Sequence, residues 1–424
     1  MTKPTVAAQS ASTEGKALQQ RLQRAEAHQA QLEYAAFSCK LRKRPLVLFF
    51  GRESFSDNSK YLFLRSLSSC RGYEVLWCTP QREVARTLQA RGLPTLLIGQ
   101  NHEQTIDTLL HAAVAVFTIN PFESLGLSIP LLGCLAGARK LQLWHGISVK
   151  KLNLQLLPHL PVRNADLRQY WLSNIGVDHV LSTSSHFDEY WRTVFGCREL
   201  VRAGMPRNEV IVRPAREPEL LGSELPDRAR NALESGKPAI LLTPTWQRSK
   251  ETALTDADFL TRIWGFARRN GANVFIKTHP TYVGRWEHPA DEIEELHLID
   301  PGVDLYPHLQ RLAALITDYS SIMFDFLLTG HPVLTLDLRL GDHQNYEPDY
   351  SLVPPGDFRI AFTPETIEAR LDDALSSDRG KQARAQYATR IFETDPAEAG
   401  TTLLRALDAW VEQSLAPDFR AHVY

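Results

Sequence analysis

Apolar runs recur at residues 46–50, 74–77, 95–98, 114–117 and 140–144, with segments of helix length between them. A strand buried on both faces carries no polar alternation, so short apolar runs separated by helices are the pattern of parallel β/α units. A second set lies at 239–242, 273–276, 296–299, 313–316 and 333–336. The Pro- and charge-rich stretch 213–237 separates the sets and reads as a linker with a lead-in helix. The pattern predicts an α/β protein of two Rossmann-like, doubly wound domains, at 45–212 and 238–400, facing a cleft.

The two ends read differently. Residues 1–15 are expected to form a disordered tail, and 16–43 a helix with Leu18, Leu22, Ala25, Leu32 and Ala36 roughly on one side. The plain reading is a solvated or loosely docked helix; the alternative is pairing with another chain, including a homo-oligomer. Lys40, Arg42, Lys43 and Arg44 at its end offer a weak attraction for anionic lipid. The stretch 401–424 is expected to hold a C-terminal helix that packs back across the domains.

Composition narrows the function. A chain of 424 residues exceeds what one core usually serves, and 43% hydrophobic with 23% charged residues is an ordinary globular balance. A formal charge of -2 supplies no field for nucleic acid, so any anionic ligand must be held locally. Five cysteines without CxxC spacing read as reduced thiols. No signal-peptide core is present, and no run approaches the ~18 apolar residues of a spanning helix. These features predict a cytoplasmic protein that lies on a membrane if it meets one.

Residues 312–336 carry the sharpest local signal. Residues 313–316 read as a buried strand, Thr317 and Asp318 as a turn, 319–329 as a helix, and Gly330 as its stop. Ser320 and Ser321 would then offer hydroxyls and unpaired amides to a phosphate, unless the motif only caps its helix. Lys277 and His279 follow an apolar strand and, two apart, project to the same side, where they can face one diphosphate. His145 and Gly146 occupy the corresponding edge after 140–144: an imidazole can take a hydroxyl proton, and a glycine lets backbone approach a ligand. A buried structural histidine is the competing reading. Asn58, Lys60, Arg207, Thr245 and Arg248 sit in turns aimed toward the same cleft.

Taken in order, SDNSKYLF, LWHGISVKKL, GMPRNEV, LLTPTWQRS, FIKTHP and LITDYSSIMFDF resemble the CDP-glycerol glycerophosphotransferase family of teichoic-acid primases and polymerases, over about residues 47–340. The resemblance implies a GT-B fold, a CDP-glycerol or CDP-ribitol donor, and a lipid-linked glycan acceptor in cell-wall or capsular polymer synthesis. It implies His145 as base on the acceptor hydroxyl and His279 as binder or proton donor to the pyrophosphate. Arg207, Thr317, Asp318, Ser320 and Ser321 would surround the nucleotide, and CMP would leave. The family's block often runs G-x-P-R-N-D, whereas Glu209 stands here in place of the shorter acid. No Asp-x-Asp pair accompanies the motifs, so no cofactor is expected, although a divalent ion such as Mg2+ arriving with substrate is compatible. The Leu-, aromatic- and Lys/Arg-mixed segment 149–176 suits a headgroup boundary and would bring His145 to the membrane surface; the competing reading is a domain-packing insert whose leucines face protein. The short chain favours transfer of one or a few units. A nucleotide-sugar glycosyltransferase on the same frame and a non-catalytic membrane scaffold are the rivals.

Overall fold

The computed structural model of the chain describes residues 6–69, 72–148, 152–155, 172–174, 176–245, 253–277, 293–337 and 356–416. Among them lie two sheets, every strand pairing parallel. The first holds β1 (Leu46–Phe50), β2 (Glu74–Thr79), β3 (Thr95–Leu97), β4 (Val114–Phe117), β5 (Arg139–Gln142), β6 (His179–Ser182) and β7 (Glu199–Arg202), in the order β3-β2-β1-β4-β5-β6-β7. The second holds β8 (Ala239–Thr243), β9 (Asn273–Lys277), β10 (Leu296–Ile299), β11 (Ala314–Thr317), β12 (Val333–Leu336) and β13 (Ile360–Phe362), ordered β10-β9-β8-β11-β12-β13. The strand order reverses at β1/β4 in one lobe and at β8/β11 in the other. At such a switch the two chains leave the sheet in opposite directions and open a crevice beyond the carboxyl edge.

The central strands are buried on both faces, which explains their unbroken apolar runs: LVLFF in β1 and VAVF in β4 are covered throughout. Phe50 stacks on Phe117 across this pair at 4.7 Å. Trp77, Phe55 and Phe63 fill the layer on the other face, Phe55 edge-on to both rings and Phe63 tilted against Trp77. β6, β7 and β13 are additions to the expected strands.

Helix α1 runs Val6–Lys40, so its first turns occupy residues expected to be disordered; the Ala, Gln, Glu and Lys content that favours helix simply continues toward the N-terminus. Its second half is docked. The Ser38 hydroxyl donates to the Cys134 carbonyl at 2.6 Å and accepts from the Gly137 amide at 2.9 Å. A Cβ on Gly133 would come within 2.1 Å of the Gln31 carbonyl oxygen, so the backbones touch.

The helix Ala399–Leu415 returns to the first lobe. Its Trp410 stacks on the buried ring of His179 at 4.1 Å, and the Gly400 amide donates to Glu209 at 2.6 Å. The 213–237 segment carries a 3-10 turn, Glu217–Leu220, and a helix, Asp227–Glu234.

Candidate active site

Polar groups at the two switch points hold each crevice in shape. In the first lobe, the Ser59 amide and hydroxyl reach the Thr118 hydroxyl at 2.9 and 2.6 Å, joining the first turn of the helix after β1 to the loop after β4. In the second, the Thr245 amide donates to Asp318 at 3.0 Å, its hydroxyl also hydrogen-bonds that carboxylate, and the Thr317 hydroxyl donates to the Thr243 carbonyl at 2.7 Å. Thr245, expected in the cleft, and Asp318, expected beside the nucleotide, thus hold one another. Thr317 is fully buried beneath them.

His145 lies three residues beyond β5, half-buried, at the end of a strained turn. Trp144 has φ 54°, a left-handed conformation that an aromatic residue adopts only under constraint. Two hydrogen bonds supply the constraint: the Gln142 side chain accepts from the Trp144 amide at 3.0 Å, and the Asn58 amide donates to the Trp144 carbonyl at 2.9 Å. Asn58 is fully buried, and its oxygen accepts from the Arg207 backbone at 3.3 Å. It meets the Trp144 turn, not the open cleft.

Gly146 makes the contact between lobes. Its φ of 129° favours glycine, and a Cβ there would lie 2.8 Å from Ser321 Oγ and 2.9 Å from Arg207 Nη2. The loop after β5 and the loop after β11 therefore meet without room for a methyl group. The expected 319–329 helix is shorter than its pattern suggested. Ile322–Phe326 is α-helical, Leu327–Thr329 is a 3-10 turn, and Gly330 ends it at φ 76°. Ser321 is the residue before the helix, and with so few turns the macrodipole adds less than local amides do. Ser320 and Ser321 remain partly exposed.

Arg207 lies beneath this contact, 3% exposed. Its Nη1 donates to Asp57 at 2.6 Å and its Nη2 to Asp325 at 2.5 Å, linking the first lobe to the second. The guanidinium lies 4.4 Å from the Tyr306 ring centre, and the Tyr306 hydroxyl donates to the same Asp325 oxygen at 2.7 Å. Burial works to lower the pKa of Arg207, but Asp325, Tyr306 and Asp57 outweigh it and raise the pKa. Arg207 is thus a strut between lobes. Asp57 holds φ 70°, a second strained residue in this cluster.

Lys60 is a second strut. Expected in the cleft, it is fully buried on α2 (Asp57–Ser68), and its ammonium donates to Asp304 of the other lobe at 2.8 Å. Tyr61 donates to the same oxygen at 2.8 Å, and the Tyr306 amide donates to the other at 3.1 Å. Burial favours the neutral acid, yet these partners hold the Asp304 carboxyl below its ordinary pKa.

Lys277 ends β9, and its ammonium donates to the Val303 carbonyl. Burial lowers its pKa to about 8, with Asp304 pulling upward, Arg52 pushing down, and Asp300 and Asp57 pulling upward. It therefore sits where the second lobe meets the loop before α2. His279 and Arg248 lie outside the described residues, as does most of 149–176.

Glu209 resolves the departure from the shorter acid. It is buried, accepts from the Gly400 amide, and pairs with Arg213 at 2.7 Å. The extra methylene reaches the start of the last helix. Asp304, Asp325 and Tyr306 escaped the sequence reading because nothing local marks them; the DF after YSSIM was the one available signal for Asp325. Among the described residues no group of three or more His, Cys, Asp or Glu is placed to hold a metal, and no helix is long and apolar enough to cross a membrane.

A family model described as CDP-Glycerol:Poly(glycerophosphate) glycerophosphotransferase matches residues 32–407. The chain belongs to this family. Among family relatives, a teichoic acid glycerol-phosphate transferase of Staphylococcus aureus is 23% identical over 230 residues, covering 51% of this chain and 57% of that protein. A teichoic acid poly(glycerol phosphate) polymerase of Bacillus spizizenii is 24% identical over 252 residues, covering 54% and 59%. The chain thus spans less than two thirds of these curated relatives. Among solved structures, the wall teichoic acid polymerase TagF superposes with a TM-score of 0.68 at 18% identity, covering 97% of this chain and all of the other. A putative UDP-N-acetylglucosamine 2-epimerase from Listeria monocytogenes gives 0.57 at 12% identity, covering 91% of this chain and 100% of the other. The glycerophosphotransferase family thus has here a GT-B-like α/β frame, shared with nucleotide-sugar enzymes.

Proposed function

We propose that the chain transfers glycerol phosphate from CDP-glycerol to a hydroxyl of a lipid-linked glycan, releasing CMP, in cell-wall or capsular polymer synthesis. The observation that carries the proposal is the meeting of Gly146 with Ser321 and Arg207, within a chain matched to the family over residues 32–407. It brings the loop bearing His145 against the loop bearing Ser320 and Ser321, which supports a reading in which a proton acceptor works beside phosphate-binding hydroxyls.

In this reading the first lobe, 45–212, receives the acceptor at the inner face of the membrane, and the second, 238–400, holds the donor. His145 takes the proton of the attacking hydroxyl, and the oxygen attacks the phosphorus that bears glycerol. The bond to the CMP phosphate breaks, and Lys277 and His279 stabilise the charge that grows on the departing oxygen. The strained Trp144 turn favours this role, since backbone strain is retained where it aims a group.

The test is incubation of the protein and a lipid-linked acceptor with CDP-glycerol, CDP-ribitol and a panel of nucleotide sugars. CMP release with glycerol phosphate entering the lipid fraction is expected, falling ~10²- to 10⁴-fold in His145→Ala. Nucleotide release from a sugar donor alone would overturn the reading.

A further inference from the structure

We infer that α1 is the pairing arm of a parallel homodimer. Leu18, Leu22, Ala25, Gln29, Leu32 and Ala36 follow one another at steps of four, three, four, three and four residues, the a/d spacing of a two-stranded coiled coil. All six are exposed, with Leu18 at 59%, Leu22 at 56% and Leu32 at 72%. The seam is ~27 Å long at helical rise. It is not the docking face turned outward. Gln31, Tyr34 and Ser38 lie on a different side, and the contacts of Gln31 and Ser38 with Gly133, Cys134 and Gly137 fix how the helix is rotated.

The first half of the arm also lacks support of its own. Residues 15–23 are exposed on every side, and an unsupported helix is marginal in water. A second copy covers the seam and supplies that support.

Charge selects this occupant and its direction. In a parallel pair the residue before each seam turn faces the residue five positions later on the partner. Arg21 then meets Glu26 and His28 meets Glu33, opposite in sign or hydrogen-bonding at both places. Gln29 is the polar seam residue that penalises other registers. A membrane is the poorer occupant: the apolar stripe is narrow, and Glu26 and Glu33 border it against anionic headgroups.

The experiment is sedimentation velocity of the full chain across micromolar concentrations, with and without anionic vesicles. A dimer is expected, and the double variant Leu22→Asp/Leu32→Asp should weaken it at least ~10²-fold while the thermal unfolding of the two lobes is unchanged and helicity falls only by the share of the freed arm. Arg21→Glu should also weaken it, and Arg21→Glu/Glu26→Arg should restore it. Leu22→Cys should form a disulfide between copies under mild oxidation, which an antiparallel pair would not allow. A monomer throughout, or a monomer that sediments with vesicles through the same leucines, would overturn the inference. Neither readout depends on transferase activity, so the dimer and the proposed reaction fail independently.

Discussion

The Asn58 side chain donates to the Trp144 carbonyl at 2.9 Å and accepts from the Arg207 amide at 3.3 Å, joining three of the sequence blocks at one amide. Replacing it leaves a buried carbonyl unpaired, which costs ~1–3 kcal/mol, and frees the turn that sets His145. Asn58→Ala is expected to lower kcat of CMP release ~10- to 100-fold, more than it raises KM for the donor. Equal loss in a correctly folded Asn58→Asp, which keeps the shape without the donor, would assign the effect to this bond; wild-type kcat in either would dismiss it.

Gly146→Ala should be more severe than a usual glycine replacement. The methyl group meets Ser321 and Arg207 below contact distance, and the φ of 129° adds strain. Lobe approach is lost, so the expected result is a fall of ~10²-fold or more in kcat/KM with donor binding weakened in calorimetry. Removing the hydroxyl in Gly146→Ala/Ser321→Ala should recover little, because Arg207 still stands in the way.

Arg207→Met should strand two buried carboxylates, Asp57 and Asp325. Breaking a buried pair from one side costs ~3–5 kcal/mol, visible as a lower urea midpoint. Arg207→Met/Asp325→Asn should regain part of that. No regain would mean the charge on Asp325 is not what the arginine neutralises. Arg207→Lys should behave more like Met than like wild type, since one ammonium cannot span both acids.

Lys277 titrates at about 8, against an ordinary 10.5, so its charge is present below that pH and lost as pH rises through it. Donor capture that uses this ammonium should fall over the same range, seen as an alkaline limb in kcat/KM for CDP-glycerol. The unfolded chain holds more protons than the folded one between these values, so this group's contribution to stability rises there and unfolding does not explain the limb. Lys277→Arg should move the limb out of range; an unchanged limb would exclude Lys277.

Legibility followed locality. β1, β4 and β12 were readable to the residue because each is a run covered on both faces; β10 was readable too, although it contains His297, lies at a sheet edge and leaves Leu298 exposed. β7 reads ELVR and lies at a sheet edge, and β6 begins with His179, whose burial depends on Trp410 far along the chain. His145 and Gly146 were visible through their place after a strand. Arg207 and Lys60 were legible as conspicuous polar residues but not as struts, since their partners Asp325 and Asp304 are distant in sequence and only tertiary placement reveals the pairing. The helix after Ser321 was expected but read as too long for a different reason: over so few positions the tighter 3-10 turn and the α turn give nearly the same pattern.

Trp410 covers His179, and Gly400 is tied to Glu209, so the lobe begun at residue 46 is sealed by a helix ending at residue 415. During synthesis the first sheet waits, with one side uncapped, until the other lobe has been made. Its nascent form is thus open to aggregation and to chaperone capture, and a cut made in the 213–237 segment would leave the first sheet without the helix that seals it while the second sheet stays whole.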